Sequence, residues 1–131
     1  MMSTNYFIEI EKFAENHFIK NFSKKYKKAW EVTLKALFEE LQRFDLFIKT
    51  SAVDIINQDN NLGIMKVDFR VHGTNASKKT SGNRCIIAVH KDIGIIKILL
   101  IYHKNDLGNG HETTKWKQLI KENYLDYIYL L

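Results

Sequence analysis

Apolar and polar residues alternate strictly along residues 65–72, which read MKVDFRVH. Successive side chains of a strand point to opposite faces, so this alternation predicts a strand with one apolar and one polar face. The apolar side chains are expected to face a core: Met65, Val67, Phe69 and Val71. The polar side chains are expected to line the other face: Lys66, Asp68, Arg70 and His72.

Three strands are predicted in this part of the chain, over residues 64–72, 83–90 and 95–104. The short turn at residues 92–94 joins the last two and indicates an antiparallel pair. Residues 95–101 are apolar on both faces apart from Lys97, which is typical of an interior strand. A shorter alternating run, residues 6–10, predicts a first strand.

Helical periodicity appears on both sides of these strands. One stripe consists of Phe18, Phe22 and Tyr26, and it predicts a helix within residues 17–26. A second, more regular stripe predicts an amphipathic helix that completes a helical hairpin, with Trp30, Leu34, Leu37, Phe38 and Leu41. A third predicts a C-terminal helix, with Trp116, Leu119, Ile120, Tyr124 and Ile128. Residues 45–61 have no sustained period and are expected to form an irregular connection.

The order of predicted elements is therefore β, α, α, β, β, β, α. It indicates a small α+β fold, one domain over residues 1–131, in which an N-terminal strand and a helical hairpin pack on an antiparallel sheet and a C-terminal helix closes the chain. In this arrangement part of one sheet face remains available for charged side chains.

The charge of the chain is concentrated on these strands. Residues 66–104 contain eight Lys or Arg and two Asp, a net charge of about +6, whereas the whole chain carries +5. A sequence pI near 9.2 favours an anionic partner such as nucleic acid or an acidic protein.

Cysteine and histidine usage limits the chemistry. Cys85 is the one cysteine, which excludes an intramolecular disulfide and a cysteine-based zinc cluster, and its apolar surroundings predict a buried core residue. The five histidines lack metal-ligand spacing, so no metal is expected. No apolar run of signal-peptide or membrane-span length is present, so we expect a cytoplasmic protein without a membrane partner.

Four segments in order resemble the RelE/ParE superfamily of bacterial toxins: HFIKNFSKKYKKAWEVTLKAL, SGNRCII, IKILLIYHKND and HETTKWKQLIKENY. They are similar to the helical hairpin, two strands and C-terminal helix of those toxins and cover nearly the whole chain. The resemblance implies an endoribonuclease without a cofactor that cleaves mRNA, usually in the ribosomal A site, and is neutralised by a cognate antitoxin protein. We expect the antitoxin to place an acidic or amphipathic segment across the basic face, or to displace the C-terminal helix.

The resemblance also implies positions for the active site. Lys66 matches a catalytic strand lysine, Arg84 in SGNR matches a phosphate-binding arginine, and Asp68 stands where a second basic residue is expected. Arg70, on the same predicted face, is the candidate substitute. Three residues lie near the expected basic phosphate ligand at the end of the last strand: Tyr102, His103 and Lys104.

RNA cleavage by 2′-hydroxyl attack needs a base, positive charge on the phosphorane and an acid for the 5′-oxygen. Lys66 and His72 are the candidate bases, and Arg70 and Arg84 are expected to stabilise charge. The candidate acids are His103, Lys104 and His111, while Lys78 and Lys79 are expected to contact RNA non-specifically. Tyr102 is a candidate either for the active site or for the apolar core.

Two alternatives remain open at this point. A ParE-like protein would share the fold and inhibit DNA gyrase by binding, without RNA chemistry. A catalytically inactive member would bind only RNA or an antitoxin, and Asp68 is the residue that favours this alternative.

Overall fold

The computed structural model describes residues 5–108 and 110–131. Its centre is a five-stranded sheet in the order β1-β5-β4-β3-β2. The strands span these residues: β1 Phe7–Ile10, β2 Val53–Gln58, β3 Leu62–Phe69, β4 Asn83–His90 and β5 Ile95–His103. The antiparallel pairing of β4 and β5 and the interior position of β5 confirm the sequence predictions.

The sheet differs from the prediction in two respects. β1 pairs with β5 in parallel, so the sheet is mixed rather than wholly antiparallel. The predicted irregular connection over residues 45–61 contains β2, an edge strand that pairs antiparallel with β3. Its register shifts between Ile55 and Asn57, and its residues are exposed or half-buried. A bulge adds one residue and breaks the alternation from which a strand is predicted.

One face of the sheet is covered by the N-terminal helices, which confirm the predicted hairpin. α1 spans Lys12–Ala14, a π-helical turn spans Glu15–Ile19, and the remaining helices are α2 Lys20–Tyr26, α3 Lys28–Gln42 and α4 Phe44–Phe47. Phe22, Trp30 and Phe69 pack together between α2, α3 and β3. The side chain of Phe18, from the predicted stripe, lies outside the described residues. Cys85 is fully buried in this core, as predicted.

The opposite face is covered by α5, Glu112–Asn123, and by a 3₁₀ turn, Leu125–Leu130. Trp116 and Ile120 of α5 are fully buried against Ile86 and Leu100 of the sheet. The part of this face that remains available for charged side chains is therefore small, because α5 and the 3₁₀ turn cover most of it. Near the start of α5, this face carries the charged side chains of Asp68 and Arg84, and Lys97 of β5 lies on the same face farther along the strands.

Within the described part of the chain, no helix combines the length and the apolar character that crossing a membrane requires.

Candidate functional site

A row of three neighbouring side chains crosses the sheet beneath the start of α5. Asp68 of β3 is opposite Arg84 of β4, and Arg84 is opposite Tyr102 of β5. Residues directly opposite each other in adjacent strands point to the same face. Asp68 and Arg84 are largely buried, with 8% and 11% of their side chains exposed, and Tyr102 is fully buried.

Arg84 is held at several of its donor nitrogens. Its Nη1 donates to the carbonyl of Asn83 and its Nη2 to the carbonyl of Lys79. Its Nε lies 3.1 Å from Asp68 Oδ1 and 3.7 Å from Glu112 Oε2. The Asp68 contact lacks hydrogen-bond geometry, so among the described residues both atoms are buried without a hydrogen-bond partner. Arg84 therefore compensates two carboxylates and retains unused N–H groups.

The environment of this row disfavours charge on Asp68 and Tyr102. Burial raises the pKa of Asp68, and the charges of Arg84, Lys66 and Lys79 oppose that increase. Burial also raises the pKa of Tyr102, and its hydroxyl donates to Glu112 Oε2 over 2.8 Å, which raises the pKa further. Tyr102 thus orients the Glu112 carboxylate and is not itself placed to release a proton.

An open cleft of about 400 Å³ lies above this row, between the end of β5 and the first turn of α5. We refer to it as the α5 cleft; its lining residues are Lys104, Asn105, Gly108, Gly110, His111, Glu112, Thr113 and Thr114. Lys104 and His111 are exposed, and Glu112 is half-buried between the cleft and Arg84. The cleft therefore combines a carboxylate, an imidazole and an ammonium group, with a guanidinium beneath the carboxylate.

Lys66 lies two positions along β3 from Asp68, on the same face and opposite Ile86 of β4. It is half-buried, and its charge acts on Asp68. Lys66 is thus a neighbour of the row rather than a part of the α5 cleft.

Arg70 and His72 lie elsewhere. β3 ends at Phe69, so strand alternation no longer fixes the face of the residues that follow. Both residues line a groove beside α3, where the backbone N–H of His72 donates to Thr33 Oγ1. Neither lines the α5 cleft, so the predicted grouping of Arg70 and His72 with Lys66 and Arg84 in one site is corrected.

His103 faces the helical layer, because it lines a pocket with residues of α2. Its Nε2 is 3.1 Å from the carbonyl of Ser81, and its Nδ1 accepts from the backbone N–H of Asn105. Both ring nitrogens are therefore engaged by backbone groups of neighbouring turns. His103 is therefore a turn-stabilising residue on the side opposite the α5 cleft, which does not fit the predicted role of acid.

Lys78 and Lys79, in the loop before β4, make different contacts. Lys78 forms an ion pair with Glu40 of α3 and lies over the Phe47 ring, so it holds the loop to the helical layer. Lys79 is exposed, and only its carbonyl is engaged by Arg84.

Glu112 is the site residue that sequence reasoning missed. A glutamate in the first turn of a helix is an ordinary companion of the helix dipole, so its position alone carries no functional signal. Its role depends on Tyr102 and Arg84, which only the folded sheet brings to it. In residues 5–108 and 110–131, no group of three or more His, Cys, Asp or Glu could hold a metal ion.

No family model matches the sequence, and no curated protein matches it. The fold is similar to that in the crystal structure of an archaeal RelE–RelB complex from Pyrococcus horikoshii OT3, with a TM-score of 0.55 and 15% sequence identity. The similarity covers 78% of this chain and 98% of that chain. The described chain therefore has a RelE-like fold.

Proposed function

We propose that this protein is the toxin of a toxin–antitoxin pair and that it cleaves RNA in the α5 cleft. The observation that carries the proposal is the meeting of Glu112, His111 and Lys104 in one cleft, with Arg84 beneath Glu112. These groups supply the base, the acid and the positive charge that 2′-hydroxyl attack on a phosphodiester needs. The RelE-like fold is consistent with this chemistry.

In the proposed reaction, Glu112 accepts the proton of the ribose 2′-hydroxyl while the 2′-oxygen forms a bond to phosphorus. The bond from phosphorus to the 5′-oxygen breaks, and the protonated imidazole of His111 donates a proton to that oxygen. Lys104 and the free N–H groups of Arg84 balance the charge on the phosphorane. The products are a 2′,3′-cyclic phosphate and a 5′-hydroxyl. Lys66, which the sequence suggested as base, adds positive charge along β3 in this scheme.

The proposed partner is an antitoxin. The similar archaeal RelE was crystallised in complex with RelB. For this chain we propose an acidic or amphipathic segment that covers the α5 cleft, because that end of the sheet carries exposed Lys79, Lys104 and His111. Displacement of α5 would expose the fully buried Trp116 and Ile120, so we favour covering over displacement.

The test is cleavage of single-stranded RNA by purified protein, together with primer extension on mRNA after pulsed expression. We expect His111→Ala and Lys104→Ala to lose about a hundredfold or more in rate, the usual contribution of a general acid or a transition-state donor. Lys121→Ala is the matched control, because Lys121 is an exposed residue in the last turn of the same helix. New cut sites that persist in His111→Ala would overturn the assignment.

A binding-only protein is the second candidate, and the contacts of Arg84 favour it. A guanidinium that already meets Asp68 and two backbone carbonyls is less available to a phosphate than a free one. Such a protein would bind RNA with a steep salt dependence and leave it intact. Growth arrest with intact mRNA would instead favour inhibition of another bound target, such as DNA gyrase.

A further inference from the structure

A second pocket lies at the same end of the sheet as the α5 cleft, but on the helical face. It occupies about 360 Å³ between α2 and the adjoining ends of β4 and β5, within the size range of ligand pockets. Asn83 and His103 form its floor; they are opposite each other in β4 and β5, and Phe69 is opposite Asn83 in β3. We refer to it as the amide pocket, because three asparagines line it: Asn21, Asn83 and Asn105.

Asn83 lines this pocket and has a side-chain oxygen that makes no hydrogen bond to the described residues. The residue is only 5% exposed, and its Oδ1 is buried without a hydrogen-bond partner among the described residues. A buried amide oxygen without a partner is unfavourable and uncommon in folded proteins. A ligand that donates a hydrogen bond to it would remove this cost.

The walls of the pocket combine aromatic rings with positive charge. The rings of Phe22 and Tyr26 are stacked, with centroids 6.2 Å apart, and Tyr26 is half-buried at the rim. Lys25 Nζ lies 5.2 Å from the centroid of the Tyr26 ring. Asp106 adds a second acceptor oxygen to the lining. Stacking surfaces, amides and a carboxylate are the groups with which proteins recognise single-stranded nucleobases.

The neighbouring turn extends the positive charge. Four exposed lysines surround the junction between α2 and α3: Lys24, Lys25, Lys27 and Lys28. We call this group the lysine corner. A base seated in the amide pocket would leave its phosphates near these side chains, which suits a polyanion better than a neutral ligand.

The amide pocket also adjoins the α5 cleft. Asn105 lines both, in the 3₁₀ turn Lys104–Leu107 that follows β5. Consecutive positions along the strands face opposite sides at this end of the sheet: Asp68, Arg84 and Tyr102 face α5, and Phe69, Asn83 and His103 face the N-terminal helices. A single-stranded RNA that crosses this turn would have one nucleotide at each site.

We propose that the amide pocket binds an unpaired nucleobase of RNA that bears an exocyclic amino group, next to the nucleotide in the α5 cleft. The amino group donates to Asn83 Oδ1 or to Asp106, and the ring stacks at the rim on Tyr26. Uracil has a carbonyl oxygen where cytosine has its amino group, so it can donate only its single ring N3–H, whereas an amino group has two hydrogens and can donate to Asn83 Oδ1 and Asp106 together. The identification of RNA as the ligand rests on the proposed function, whereas the preference for amino-bearing bases follows from the acceptors in the pocket.

Binding can be measured apart from cleavage with fluorescently labelled 2′-O-methyl oligonucleotides, whose blocked 2′-oxygen cannot attack phosphorus. Four homotetramers are compared by fluorescence anisotropy: A, C, G and U. We expect the wild type to bind at least one amino-bearing tetramer about tenfold more tightly than the U tetramer, the effect of one or two hydrogen bonds. We expect Asn83→Ala to reduce this preference to about twofold or less.

Asn61→Ala is the matched control, because Asn61 lies in the β2–β3 turn, at the opposite end of the strands from Asn83. Tyr26→Leu provides a second variant that keeps the apolar bulk and removes the stacking ring; it should weaken all four tetramers. Equal affinity of the wild type for the four tetramers, or a preference that survives Asn83→Ala, would overturn the proposal. A base preference without cleavage of ordinary RNA would overturn only the proposed function, and cleavage without a base preference would overturn only the base pocket.

Discussion

Ser81 and Asn83, two residues apart in sequence, use their polar side chains in opposite ways. The single O–H of Ser81 has the carbonyls of Phe69 and Lys78 within hydrogen-bond distance, and its oxygen accepts from the backbone N–H of Asn83, so the hydroxyl is fully used. Asn83 Oδ1 has no partner among the described residues. The first residue stabilises the loop before β4, whereas the second holds an acceptor that no described residue satisfies.

This contrast predicts opposite effects on stability. An unpaired buried oxygen costs about 1–3 kcal/mol, so Asn83→Ala should leave the free energy of unfolding unchanged or raise it by up to about 1 kcal/mol. Ser81→Ala should lower it by about 1–3 kcal/mol, because the backbone N–H of Asn83 and the carbonyls that share the Ser81 O–H lose their hydroxyl partner. Urea unfolding measures both. Equal destabilisation by the two substitutions would mean that Asn83 is a structural residue.

The sequence predicts the burial of individual residues well where apolar character alone determines their position. Cys85, Trp30 and Trp116 are core residues as their apolar periodicity indicates. The pairing of Glu112 with Tyr102 and Arg84 could not be predicted, because it depends on which sheet face α5 covers and, for Arg84, on a strand that is remote in sequence.

At the scale of elements, prediction failed for the strand β2 and for the position of α5. β2 is an edge strand with a bulge, so neither face is consistently apolar. The α5 layer was predicted as a helix, but its position was not, since apolar periodicity identifies a buried face without saying which sheet face it covers. For the same reason the charged row of β3 and β4 was expected to be open to solvent.

The contacts of Arg84 with Asp68 of β3 and Glu112 of α5 make it a structural residue as well as a candidate phosphate ligand. Arg84→Ala leaves Asp68 without its compensating charge, and loss of one partner from a buried ion pair costs about 3–5 kcal/mol. We therefore expect Arg84→Ala to lower the free energy of unfolding by an amount of this order. Thermal or urea unfolding measures the change.

The double variant Asp68→Asn, Arg84→Gln separates the two roles of Arg84. It removes both charges of the pair, so most of the stability lost in Arg84→Ala should return, while RNA cleavage stays about a hundredfold or more below the wild-type rate. Recovery of cleavage together with stability would restrict Arg84 to a structural role.

The C-terminal 3₁₀ turn is attached to the sheet through a titratable contact. His90 Nε2 of β4 is 3.0 Å from the hydroxyl of Tyr127. Burial lowers the pKa of His90, and Lys97 lowers it further, while Asp92, Glu9 and Glu11 act in the opposite direction. The folded protein therefore keeps His90 neutral at pH values where the unfolded chain binds a proton.

Because the unfolded state binds more protons below about pH 6.5, the usual histidine pKa, stability should fall as the pH decreases through that value and level off above it. His90→Gln keeps a hydrogen-bonding side chain at this position and removes the titration. We expect the melting temperature of this variant to change less between pH 7 and pH 5 than that of the wild type. Parallel pH profiles of the two proteins would contradict this.

For the molecule as a whole, both proposed sites depend on a sheet that is covered on each face by helices but left uncovered at one end. The α5 cleft lies on one side of that end, the amide pocket on the other, and the turn that contains Asn105 connects them. Exposed Lys79, Lys104 and the lysine corner surround the same end. The net charge of +5 understates this concentration, because acidic residues elsewhere balance the remaining lysines.

This distribution predicts that RNA affinity depends on where the charge lies rather than on its total. Each lysine that contacts a phosphate of single-stranded RNA adds about 0.7 to the slope of log affinity against log salt concentration. Replacement of the four corner lysines with Gln should therefore reduce the slope measured with 2′-O-methyl oligonucleotides by up to about 3. The control replaces four exposed lysines outside the corner, and so lowers the net charge equally: Lys12, Lys35, Lys49 and Lys121. Equal slopes for the two variants would show that the lysine corner contributes only through net charge, and RNA would then have no defined path from the amide pocket to the α5 cleft.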